Sequence, residues 1–176
     1  MNFKYTFSKQ TTLRINYRGR TTQPSMTDLY SKNDISDPLN IRLTNPNLKP
    51  SFNNNISATF NTYFTETLRS FNANFSYSNT INSTTRIVTY DENTGGRTTQ
   101  PTNVNGNWRI NGSFTFSTPL SNKKFTVNTY TNANYGNSVG FTVLNKESDA
   151  VKSNTTNLFL SERLKGNYRS DLIDCE

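Results

Sequence analysis

The residue types best suited to chemistry are scarce here and poorly spaced for it. The 176 residues include no histidine, and the single cysteine, Cys175, stands next to the last position. A conventional zinc site draws on several His or Cys ligands, so none is expected, and one cysteine forms no internal disulfide. Carboxylates could serve as general acids or bases, or as calcium ligands. The candidates Asp28, Asp34, Asp37, Asp91, Glu92, Glu147 and Asp149 fall mostly in segments that read as loops. DENTGG, at 91–96, lacks the spaced ligands and terminal Glu of an EF-hand and reads as an Asn/Gly turn. Asn-x-Ser/Thr triplets such as Asn55-Ile56-Ser57 arise by chance in so Asn-rich a chain. The sequence predicts no enzyme, no metal and no cofactor.

The formal charge of +7 and a pI near 9.6 raise nucleic acid as a partner. The basic residues, among them Arg14, Arg18, Arg20, Arg86, Arg97, Lys123, Lys124 and Lys152, are spread along the sequence with no dense run. No nucleic-acid partner is therefore expected.

The composition itself is unusual. Hydrophobic residues make up 31%, against roughly 45–50% for globular chains on a slightly wider count, and mean hydropathy is −0.77. Disordered chains share those values but are poor in aromatics, whereas this one holds 12 Phe, 9 Tyr and a Trp. Period-2 alternation explains the combination. Phe3, Tyr5 and Phe7 share a parity, as do Leu13, Ile15 and Tyr17. The same holds for Ile56, Ala58, Phe60 and Phe64, and for Phe71, Ala73, Phe75 and Tyr77. Further on come Trp108, Ile110, Gly112, Phe114 and Phe116, and then Phe125, Val127, Thr129, Ala133 and Tyr135. The last run, Leu158, Leu160, Leu164 and Tyr168, is interrupted at the same parity by Glu162. Asn, Thr, Ser and Arg occupy the opposite parity. The pattern predicts an all-β, antiparallel up-and-down meander of about seven long strands. No helical apolar run of about 18 residues is present to span a bilayer.

The connections alternate in length: Ser8–Thr11 short, Arg18–Pro50 long, Thr65–Ser70 short, Asn79–Val104 long, Ser117–Lys124 short, Gly136–Asn157 long. In a meander all short turns then lie at one end, the asymmetry of transmembrane barrels. Phe64, Phe71, Phe116 and Phe125 stand near that end and Tyr17, Tyr77, Trp108 and Tyr135 near the other, as two interfacial aromatic belts would.

The segment DPLNIRLTNPNLKPS (37–51) follows the Arg- and Pro-containing YRGRTTQPSMTDL (17–29). Together with TYDENTGGRTTQPTNVNGNW (89–108) they resemble the barrel of TonB-dependent outer-membrane receptors, in the branch called the outer membrane β-barrel family. Asn45, Pro46, Asn47, Leu48, Lys49 and Pro50 match the family's loop motif, while Thr44 and Ser51 replace its Gly and Glu. Prolines 46 and 50 hold the residues before them extended, so the motif is expected to set the entry of the next strand. The resemblance implies nutrient uptake in the cell outer membrane, with lipid, the remaining barrel strands, a plug and an inner-membrane energy-coupling complex as partners. Such barrels close with about 22 strands, so residues 1–176 are expected to be a segment of a larger barrel. The alternative is a soluble or cell-surface Asn/Thr-rich β-sandwich adhesin.

Overall fold

The structure is a computed structural model that describes residues 1–30, 33–91, 93–120, 124–143 and 150–168. Cys175, Lys123, Glu92, Glu147 and Asp149 lie outside the described residues.

The elements in chain order are β1 (Asn2–Ser8), β2 (Thr11–Thr22), α1 (Met26–Leu29), β3 (Asn40–Arg42), β4 (Ser51–Phe64), β5 (Arg69–Ile81) and β6 (Ser83–Tyr90). They continue with β7 (Arg97–Val104), β8 (Asn107–Pro119), β9 (Phe125–Thr142) and β10 (Val151–Tyr168). Seven of the strands form one sheet in the order β1-β2-β4-β5-β8-β9-β10, antiparallel throughout. All seven coincide with the alternating runs of the sequence. β9 and β10 are longer than the alternation indicates, at 18 residues each. Their extensions, Asn137–Thr142 and Val151–Thr156, fall in the stretch 136–157 that the sequence reads as a long connection, but continue the ladder.

The register aligns the alternation from strand to strand. Tyr17, Ile56, Tyr77, Ile110, Tyr135 and Leu158 are successive register partners, so they form one row across six strands. Ile15, Ala58, Phe75, Gly112, Ala133 and Leu160 form the adjacent row. Paired residues point to the same side of a sheet, so one face is apolar and aromatic over all seven strands. Glu162 does lie on that face, where the Thr131 hydroxyl donates to its carboxylate. The Thr11 and Thr62 hydroxyls on the same face bond to each other at 2.8 Å.

Among the described residues no second layer covers the aromatic face. Phe75 is 48% exposed, Phe114 45% and Leu160 66%, so the phenylalanines are not interlocked inside a sandwich.

The sequence reading left the excursions Arg18–Pro50 and Asn79–Val104 as plain loops. Instead, β6 and β7 form an antiparallel hairpin, and β3 joins β7 in parallel, giving a three-stranded sheet of order β3-β7-β6. The hairpin turn closes with Asp91 and Gly96, whose backbones bond at 2.7 Å. Gly95 there has φ +69, in the left-handed region that glycine adopts without strain. The DENTGG turn reading thus holds for its described residues.

Short connections, Lys9–Gln10 and Thr65–Leu68, lie at one end of the large sheet, and the three-stranded sheet lies at the other. The buried apolar side chains among the described residues, Leu48, Val104 and Val139, are also at this second end.

Candidate functional site

Two prolines and two asparagines give the 45–50 motif its shape. The Asn45 side-chain oxygen accepts from the Asn47 backbone amide at 3.0 Å, an Asx turn. Its own side-chain amide donates to the Pro101 carbonyl at 3.0 Å, reaching β7. The Asn45 backbone amide donates to the Asp28 carbonyl on α1 at 2.8 Å. Leu48 is 7% exposed, while Pro46, Asn47, Lys49 and Pro50 are exposed. The Lys49 backbone amide donates to the Asn103 side-chain oxygen at 2.7 Å. Asn103 returns the bond, its amide donating to the Lys49 carbonyl at 3.0 Å and to the Asn82 carbonyl at 2.9 Å. One asparagine on β7 therefore ties the motif to the start of the neighbouring hairpin. Pro50 immediately precedes β4, as the sequence indicates.

Asn103 and Pro101 were not singled out from the sequence. The available signal was TTRIVTY followed by an Asn/Gly turn, a β-branched run that reads as a hairpin arm. What sequence could not supply was the parallel docking of β3.

The loop-end sheet also borders an open cleft of about 470 Å³, lined in part by Arg42, Arg86, Arg97, Asp28 and Asp34. Arg86 approaches the Asp28 carboxylate at 4.0 Å, and Arg97 donates to the Asn40 side-chain oxygen at 2.7 Å. The Ser36 hydroxyl and backbone amide hold the Asp34 carboxyl below its usual value. The Asn40 amide, with the Leu39 backbone amide, does the same for Asp37. No cluster of metal-ligating side chains occurs among the described residues.

The second feature is the polar face of the seven-stranded sheet. Ser57, Ser76, Asn111 and Asn134 form one row across four strands, and Thr59, Asn74, Ser113 and Asn132 form another. The sheet curves around these rows, and a trough of about 410 Å³ opens between them. The amides pair laterally: Thr59 with Asn74 at 3.0 Å, Asn111 with Ser76 at 3.1 Å, and Asn72 with Asn61. Phe159, absent from the sequence reading of this face, also lines the trough. A wall of neutral amides and hydroxyls needs water beside it, because its unpaired donors would be costly in an apolar medium.

The aromatic face has the opposite requirement. From the Trp108 row to the Phe64 row the register counts ten residues. That is roughly 33 Å along a strand, or about 25 Å normal to a bilayer at a tilt of about 40°, the height of a barrel's apolar band. The Tyr17 hydroxyl turns away from the band toward the loop end, donating to Asn54 at 2.8 Å. Trp108 and Tyr135 pack edge-on with centroids 5.2 Å apart. Rings with a wet tip and an apolar body suit the interface between headgroups and hydrocarbon. The side with its greasy residues exposed therefore faces lipid, and the curved polar side faces water.

The comparisons with known proteins agree with this geometry. The family model for the outer membrane protein β-barrel family matches residues 1–172. No curated protein matches the chain significantly. A match over nearly the whole chain, on a sheet of this construction, makes the protein a member of the outer membrane protein β-barrel family, resident in the outer membrane.

Proposed function

We propose that the chain forms part of the wall of a TonB-dependent receptor that takes up a scarce nutrient through the outer membrane. The observation that carries this reading is the 45–50 motif locked onto the adjacent hairpin by Asn45 and Asn103. It combines the loop signature of that receptor class with an ordered loop end, fit to stand outside the cell and meet ligand. In this reading the short turns face the periplasm. The strands β1 and β10, which stand at the two edges of the sheet, pair with further strands of the barrel, since lipid tolerates no open strand edge. A plug and an inner-membrane energy-coupling complex complete the machine. Chemistry on the ligand is no part of this function, and no cofactor is needed. The uncovered aromatic face argues against the soluble adhesin, which would need to bury it.

The test is made on the full-length gene product in its own membrane. It is expected in the detergent-extracted outer-membrane fraction and in a crosslink to the energy-coupling protein of the inner membrane. Recovery in the soluble fraction overturns the barrel. Residence in the outer membrane without the crosslink overturns the receptor.

A further inference from the structure

The cations look dispersed along the sequence, but the register collects most of those in the seven strands. Arg69, opposite Phe64, and Lys152, opposite Phe141, lie instead at the aromatic parity near the strand ends. Lys4 and Arg14 are register partners, and Arg14 continues through Thr59 into the rows that flank the trough. Arg18 and Arg109 share the next row toward the loop end, through Asn55 and Ser78. Arg163 and Lys165 pair with Tyr130 and Asn128, on the same side nearer the turns. Arg20, opposite Asn53, adds a cation at the rim. All of these belong to the polar face. The sole carboxylate within the seven strands is Glu162, and it is on the other face.

Exclusion from lipid explains why charges turn inward, but not why they have one sign. A wet lumen accepts carboxylates as readily as guanidinium groups, and here it holds none among the described residues. Lys4 and Arg14 face each other on adjacent strands about 5 Å apart, and Arg18 with Arg20 and Arg163 with Lys165 are next neighbours on one face about 7 Å apart. These separations are within the Debye length of about 8 Å at physiological salt, so the fields add within each pair. Lys4 opposite Arg14 is a like-charge pair, which destabilises a ladder unless an anion sits beside it. On the loop-end sheet Arg42, Arg86 and Arg97 also gather, but Asp28 and Asp34 stand among them, so the one-signed surface is the wall itself.

We infer that the polar wall is an anion-attracting surface. It selects solutes bearing carboxylate or phosphate groups, holding their hydroxyls over the neutral trough and their charges against the flanking arginines and lysines. Rings of Arg and Lys set anion preference in pores, and a one-signed concave wall concentrates counter-charged solutes. This inference rests on the transport reading and names its substrate class.

The test places a cysteine in the trough, Ser76→Cys, in the full-length protein carrying Cys175→Ser. Its rates of modification by sulfonatoethyl and by trimethylammonioethyl methanethiosulfonate are compared, each normalised to free cysteine. The anionic reagent is expected to be favoured about 10-fold. Combining Arg14→Gln, Arg18→Gln and Arg109→Gln should bring the ratio close to one, and raised salt should shrink it in the parent. A normalised ratio of one, a cationic preference, or no reaction with either reagent overturns the inference. Outer-membrane fractionation of the same protein separates the two failures. A chain absent from the membrane fraction sinks the barrel, while a membrane-resident chain with no anionic preference sinks the charge selectivity alone.

Discussion

At the loop end Leu48, Val104 and Val139 are buried, whereas in the seven-stranded sheet rings as large as Phe75 and Phe114 stay nearly half exposed. The two regions keep their shape by different means. The loop end behaves like a small water-soluble fold, with a few apolar side chains inside and asparagines satisfying backbone groups around them. Gly106 shows how close that packing is: its φ is +117, and an added Cβ would stand 3.0 Å from Val139. Among the described residues the large sheet has no apolar interior of its own away from the loop end, where Val139 of β9 is buried. It relies on a continuous backbone ladder and on two unlike surroundings, hydrocarbon on one face and water on the other. Side-chain identity therefore matters in the first region for fit, and in the second mainly for polarity.

Substitutions can break this contrast, beginning where the effect is largest. Phe114→Arg puts a charge near the middle of the apolar band and is expected to cost about 2–4 kcal/mol. The measurement is reversible unfolding of the full-length protein from phospholipid vesicles. If the substitution is neutral, Phe114 does not face lipid. Leu48→Ala should cost about 2 kcal/mol, at the low end for buried leucines, yet confine its damage to the loop end. Limited proteolysis should open the 45–50 segment while membrane insertion is unchanged. Asn103→Ala removes three hydrogen bonds of the clamp and should cost about 1–2 kcal/mol. Its signature is faster amide exchange at Lys49. Asn74→Ala in the wet trough should stay within about 0.5 kcal/mol, because water replaces the lost partner.

The smallest effect is acidic. The folded carboxyls of Asp34 and Asp37 titrate below the ordinary value of 3.8. Their contribution is thus complete above the unfolded value and is lost as pH falls through 3.8 toward the depressed folded values. The Leu39 amide, which donates to Asp37 at 3.0 Å, should exchange faster across that window. Asp37→Asn should make its exchange less sensitive to acidification.

Legibility in the sequence follows the same division. Strands bathed by two different media must alternate, so Phe71, Phe75 and their partners disclose the large sheet directly, and Glu162 was on the aromatic parity where the alternation put it. The 45–50 motif was legible as a rigid lead-in because proline restricts its neighbours whatever the tertiary context. Asn103 was not, because an exposed-looking asparagine acquires its role only when a distant segment arrives. The one-signed wall lay between these cases. Arg14, Arg18 and Arg20 share a parity in the sequence, but their alignment with Arg109 and Arg163 depends on a register that only pairing reveals.

The parallel contact between β3 and β7 has a consequence for the order in which the protein forms. Asn40 meets Arg97 across 57 residues of chain, and two strands of the large sheet are threaded between them. Until that hairpin is made, β3 has only its local bridge between Asp34 and Arg42, and its parallel ladder waits for a partner that emerges later. Trimming that hairpin would therefore strip β3 of its ladder, although the two segments are far apart in sequence.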